Sequence, residues 1–305
     1  MPTRITDNAV RPLAKHPRGP MPGKLTLSRI CLYAGAVFSA LLFIAPMWVT
    51  LVTSFKTMAE IRSGGVFSWP MAPTLEPWVQ AWSSACTGLV CEGVKVGFVN
   101  SFLITLPSVA LAVLLGALNG YIMTFWKPKS YTIAFSILVL GAFVPLQIFI
   151  YPLTRLLSSF GIFGSLAGIV AVHVIFGMPI MTLLFRSAYE SVPQDLFKAA
   201  RIDGAGFWQI FGYVILPLSV PMIVVATIIQ FTGVWNDYLL GLIFGGGQFT
   251  PMTVQLNNII NSTTGERAYN VEMAATVLTA LVPLAIYLFS GKFFVRGITA
   301  GAVKG

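Results

Sequence analysis

Six stretches of this chain run for more than twenty residues with at most one formally charged side chain each: residues 27–52, 98–126, 131–153, 162–185, 215–244 and 273–294. A helix needs about 20 apolar residues to cross the roughly 30 Å hydrocarbon core of a bilayer. Inside lipid, every backbone donor and acceptor has to be paired within the segment or with protein. Runs of this length therefore hold the chain to one fold class: an all-α, polytopic membrane helical bundle of about six transmembrane helices. Only a short stretch around LLSSFGIFGS lies where the third run ends and the fourth begins, so five spans is the alternative count. Composition agrees, with 10% charged and 56% apolar residues, where soluble domains average about 25% charged.

Charge placement gives an expected orientation. With the N-terminus in the cytoplasm, Lys56, Arg62, Lys95, Arg155 and Arg267 fall outside, and the other fourteen of the 19 Lys and Arg residues fall inside. Positive residues concentrate on the cytoplasmic side. Both termini and the polar stretch 198–217 are thus expected there. The formal net charge of +9 is a matter of loops, since no basic cluster interleaved with aromatics marks a nucleic-acid surface. Residues 1–26 read as a basic, Pro-rich cytoplasmic tail of disordered composition, 27–296 as the membrane domain, and 297–305 as a short cytoplasmic C-terminal tail. The first span reads as an uncleaved signal anchor.

The outer loop 53–97 holds Trp69, Trp78 and Trp82 among prolines, a pattern of interfacial anchors; EPWVQAW is expected to form a short interfacial helix. Cys86 and Cys91 sit in the same loop. Their spacing is compatible with a disulfide and does not require one. No metal site is expected. Polar residues within the spans are few: Asn100, Asn119, Gln147, His173, Gln230, Asn236 and Asp237. A carrier driven by an ion gradient normally places ionisable groups at mid-membrane, and only Asp237 is a candidate. His173, alone among apolar residues, reads as a packing residue. The motifs H-E-x-x-H, G-x-S-x-G and C-x-x-C are absent, as is the phosphate loop G-x-x-x-x-G-K-[ST]. The chain reads as no enzyme and binds no cofactor of its own. Any ATP and Mg would be held by a partner.

The polar stretch has a definite local form. Pro193 suits the first turn of a helix and Asp195 the positive end of its dipole. Leu196, Phe197 and Ala200 make a small apolar stripe, and Gly204 can end the helix in the left-handed conformation. A second helical run, FWQIFGYVILP, then returns to the membrane. By shape alone this is either an amphipathic turn resting on the bilayer or a docking knob for a protein.

The string AARIDGAGFWQIFGYVILP resembles the EAA-loop signature of ABC-importer permeases, with Ala199, Ala200, Asp203, Gly204, Ala205, Trp208, Phe211, Leu216 and Pro217 in register. VWNDYLLGLIF and the closing VRGITAGAVKG are similar to carbohydrate-importer permeases of the maltose type. The layout resembles the smaller permease of a heterodimer, and the resemblance covers residues 27–305. It implies a coupling-helix loop at 187–217 that docks on an ATPase through Leu196, Phe197, Lys198, Ala199, Ala200, Asp203, Gly204 and Ala205. It also implies a multi-pass protein of the bacterial-type cytoplasmic (inner) membrane. Its partners would be a second permease, two ATPase subunits and a periplasmic or extracellular solute-binding protein, with no nucleic acid. Gly245, Gly246, Gly247 and Gln248 are expected to meet the binding protein. Asn236 and Asp237 are candidates for the transport pathway, or else bond within the bundle. One position departs from the pattern: Lys198 stands where the family has an acid. CTGLVCEGVKVGFVNS faintly resembles permeases for glucose or related monosaccharides. The rival readings are a secondary carrier and a non-transporting membrane scaffold.

Overall fold

The computed structural model describes residues 26–88, 90–142, 144–262 and 267–302, with side chains excepted at 134, 138, 141, 142 and 291–302. Most of the basic N-terminal tail and the last three residues lie outside that range. The chain divides into two compact units, Met1–Met47 and Trp48–Gly305. In order, the helices are α1 (Leu27–Thr53), α2 (Met58–Ser63), α3 (Glu76–Ser83), α4 (Lys95–Tyr121), α5 (Lys129–Ala142), α6 (Leu146–Ser159) and α7 (Leu166–Tyr189). They continue as α8 (Gln194–Ile202), α9 (Phe207–Ile210), α10 (Leu216–Leu218), α11 (Val220–Trp235), α12 (Leu239–Phe244), α13 (Met252–Asn261) and α14 (Tyr269–Ala302). Two π-helical turns interrupt this pattern, Ile122–Trp126 after α4 and Phe211–Ile215 between α9 and α10.

Among the described residues, four unbroken helices are long and apolar enough to cross a membrane: α1, α4 with its π turn, α7, and the Tyr269–Ser290 part of α14. A bent pair, Phe207–Leu218 and Val220–Trp235, meeting at 79°, has the length and apolarity of a fifth, as a broken span or a re-entrant loop. The expected third span, 131–153, is instead two 14-residue helices, α5 and α6, the second capped by Pro145. Proline has no N–H to give and pushes the residue before it out of helical conformation. The expected fifth span, 215–244, breaks at Ser219 and again after Trp235. Apolar length alone could not register these breaks. Pro46, Pro107, Pro179 and Pro283, by contrast, lie inside continuous helices.

The core of the larger unit is the α4–α7 pair. Glycines set its spacing: a Cβ on Gly116 would stand 2.5 Å from Met181 Cβ, and one on Gly120 2.9 Å from Arg186 N. Small residues permit this close helix approach in a membrane, where dispersion rather than water exclusion drives packing. Trp235 ties α11 to two neighbours. Its indole N–H donates to Thr279 O at 3.1 Å, and its ring stacks on Phe231 and meets Phe102 edge-on.

On the outer-loop side, EPWVQAW forms the short helix α3, which packs on α14 with Pro77 and Ala81 buried. Cys86 and Cys91 form a disulfide, and Ser262 Oγ donates to Cys86 O at 2.9 Å. The bridged turn is thereby joined to the end of α13.

Candidate functional site

The polar stretch folds as a knob. Pro193 caps α8, and Asp195 lies in its first turn. Ala205 N–H donates to Ala200 O and Asp203 N–H to Ala199 O, both at 3.0 Å. The corner turns on Gly204 at φ +81°, a left-handed conformation that costs an L-residue about 1–2 kcal/mol. Gly206 N–H then donates to Gln209 Oε1 at 2.8 Å and opens α9.

An aromatic cluster fastens the knob to the bundle. Phe197 is 6% exposed and its ring lies 5.0 Å from Phe125 and 5.8 Å from Trp126. Tyr121 meets Phe207 at 5.0 Å and Phe211 at 5.3 Å, and its hydroxyl donates to Phe207 O at 3.2 Å. The Arg201 guanidinium sits 5.4 Å over the Trp126 ring, an attraction to the negative ring face. Phe125 and Trp126 come from one π turn and Phe211 from the other. A π turn holds more residues than an α turn and frequently marks a functional site. Here one swings aromatics toward the knob from the end of α4, and the other from the knob's own return segment.

The expected docking residues separate by face. Leu196, Lys198, Ala199, Asp203 and Gly204 are exposed, while Ala200 and Ala205 are half-buried. Phe197 is turned inward: its ring holds the knob down and presents nothing to a partner. Ile202, 85% exposed, and Trp208 extend the outward apolar face; neither Ile202 nor the aromatic cradle beneath was singled out from sequence. The cradle comes from segments some 75 residues apart, and no local pattern links them. Lys198 Nζ bonds Asp195 Oδ1 at 3.2 Å with both side chains exposed.

At the other end of the bundle, Asn236 is exposed. Asp237 accepts from Gly241 N at 2.9 Å and Leu240 N at 3.4 Å, starting α12. His173, isolated in sequence, has Nε2 4.0 Å from Asp237 Oδ2. Of the glycine run, Gly245 is buried, and Gly246, Gly247 and Gln248 are exposed. Gly246 lies against the Gly164 backbone. Asn100 Nδ2 donates to Gln248 O at 2.9 Å and Thr250 O at 3.1 Å, pinning this loop to α4.

The site is thus a braced knob with an outward face of small and apolar residues at one end of a helical bundle. The chain belongs to the family of binding-protein-dependent transport system inner membrane components, whose family model matches residues 96–300. It is a permease subunit of an ABC importer, working with a second permease, ATPase subunits and a solute-binding protein. A probable ABC transporter permease of Pyrococcus horikoshii is 33% identical over 283 residues, 92% of this chain and 99% of that protein. A xylose/arabinose import permease of Haloferax volcanii and a glucose import system permease of Saccharolobus solfataricus are each 29% identical, over 91% and 90% of this chain and 94% and 95% of theirs. In fold, the chain is similar to a chain of a bacterial ABC transporter that imports the acidic polysaccharide alginate. The TM-score is 0.72 at 17% identity, over 88% of this chain and 98% of the other.

Proposed function

We propose that this permease forms half of the pore for a sugar, of the glucose or related monosaccharide type, and that the knob couples ATPase closure to alternating access. Both termini and the knob face the cytoplasm of the inner membrane, and ATP is hydrolysed on the partners and not on this chain. The observation that carries the coupling role is the two-sided construction of α8. Its inner face is fastened by Phe197, Tyr121 and Trp126, and its outer face offers Leu196, Ala199, Ile202 and Gly204. A surface of small and apolar residues on a rigid base can fit a cleft and transmit a push to the attached spans. The names of the glucose and xylose/arabinose relatives support the substrate class. The charge count and a disulfide on the opposite side from the knob support the orientation.

Lys198 and Asp195 neutralise each other within the knob, so docking rests on the small and apolar residues. At the far end, Gly247 and Gln248 meet the binding protein, while Gly245 and Gly246 hold the loop's shape. Asn236 lines the outer pathway, and Asp237 positions α12 beside it. The test is reconstitution of the whole importer in vesicles with labelled glucose. ATP-dependent uptake that requires the binding protein supports the reading. A binding protein that takes no monosaccharide removes the substrate assignment, and ATPase that still co-purifies after the 194–206 segment is replaced by a Gly/Ser linker removes the docking assignment.

A further inference from the structure

The loop between α2 and α3 exposes a row of large apolar side chains: Val66, Phe67, Trp69, Met71 and Leu75, with Met71 at 93%. The run 63–75, SGGVFSWPMAPTL, contains no charged residue. Such a row in a mobile loop would mean little, but this one is braced from below. Lys56, 2% exposed, donates from Nζ to Gly65 O at 3.2 Å and Ser68 Oγ at 3.0 Å. Glu60 Oε1 accepts from Met71 N at 2.8 Å and Ala72 N at 2.9 Å, and Thr74 N–H donates to Phe55 O at 3.0 Å. Lys56 and Glu60 thus bond the loop's backbone and hold its shape, while Arg62 and Glu76 stand exposed at its two ends. The bonds from Lys56 and Glu60 also satisfy backbone groups that would otherwise need water, and Pro70 and Pro73 have no N–H to satisfy.

The depth of the row follows from Trp69, whose ring lies 5.4 Å from Trp48 in the last two turns of α1. A 27-residue helix is about 40 Å long, longer than the roughly 30 Å core. Its final turns run straight into Ser54, Lys56, Thr57 and Glu60, polar residues that suit headgroup level. Tryptophan is itself favoured at that level.

From this geometry we infer that residues 66–75 form a membrane-seated ridge, with Val66, Phe67, Trp69 and Met71 inserted in the headgroup–acyl boundary of the leaflet where α1 ends. An uncharged, internally hydrogen-bonded apolar ridge beside a span suits lipid. The experiment places the photoreactive residue benzoylphenylalanine at Phe67 or Met71, and at exposed Ser84 as a reference, in the complete importer reconstituted in phospholipid vesicles with its binding protein. The expected result is a phospholipid adduct several-fold more abundant at 67 and 71 than at 84. Brominated phospholipids should also quench the fluorescence lost in Trp69→Phe. Cross-links from 67 or 71 into the second permease or the binding protein, with lipid adducts no higher than at 84, overturn the inference.

Discussion

Lys198 carries the sign opposite to the acid that the EAA-type pattern places there, and its ammonium is matched by Asp195 one turn earlier. Exposed pairs of this kind contribute about 0–1 kcal/mol. Lys198→Ala should therefore leave ATPase co-purification and uptake near the parent level. Gly204 is different in kind. No atom lies within 4 Å of the position its Cβ would take, so the cost of substitution is conformational and not steric. Gly204→Val should abolish substrate-stimulated ATPase and uptake in vesicles, while Gly204→Asn, which tolerates the left-handed region, should keep most of both. At Gly120 the sign reverses. Gly→Ala inside a helix normally stabilises by about 1 kcal/mol, yet the new methyl would press on Arg186 N and Phe185 Cβ at 2.9 Å. Gly120→Ala should lower the melting temperature in detergent, and Gly233→Ala, with open space around it, should not.

Among elements, α8 has the clearest energetic hold. Removing a buried Phe side chain costs about 3–5 kcal/mol, so Phe197→Ala should release the knob. Hydrogen exchange across 194–210 is the readout, and it should rise sharply while α4 and α7 stay protected. The helix–glycine–helix form of this knob was legible from Pro193, Asp195 and Gly204, because caps and left-handed corners are local chemistry. Its fastening was not legible: Tyr121, Phe125 and Trp126 reach it through π turns, and a period of 3.6 residues does not reveal those. The spans were legible as apolar runs, but 131–153 and 215–244 hid breaks, since hydropathy is blind to where a helix loses its axis. The glycine run 245–247 read as a contact loop. Gly246, however, is spoken for by the Gly164 backbone, so deleting it would disturb packing as well as any contact with a partner. The outer brace adds a pH dependence. Backbone N–H groups of Ala72, Thr57 and Met71 hold the Glu60 carboxyl below its ordinary value. Its contribution is therefore present above the unfolded value near 4.5 and is lost as pH falls through the lowered folded one. Protease cleavage at 64–75 should increase at that acidic end, and Glu60→Gln should remove the change.

For the whole molecule, orientation is the first thing to test. After reduction, a membrane-impermeant maleimide added outside sealed cells should label Cys86 and Cys91, and should fail without reductant. Geometry then carries a mechanical consequence. The Phe207–Leu218 segment and α11 meet at 79°, with Ser219 buried at the vertex and its hydroxyl bonded to Ile215 O. At 1.5 Å per residue the two arms are about 18 Å and 24 Å long. A stiff elbow with unequal arms is a bell crank. Under the proposed coupling, a push delivered at the knob would become sideways travel at the far end of α11, enlarged by a ratio of about 4:3. The short arm would receive the load, and the end of the long arm, at Asn236 and Asp237, would make the larger movement.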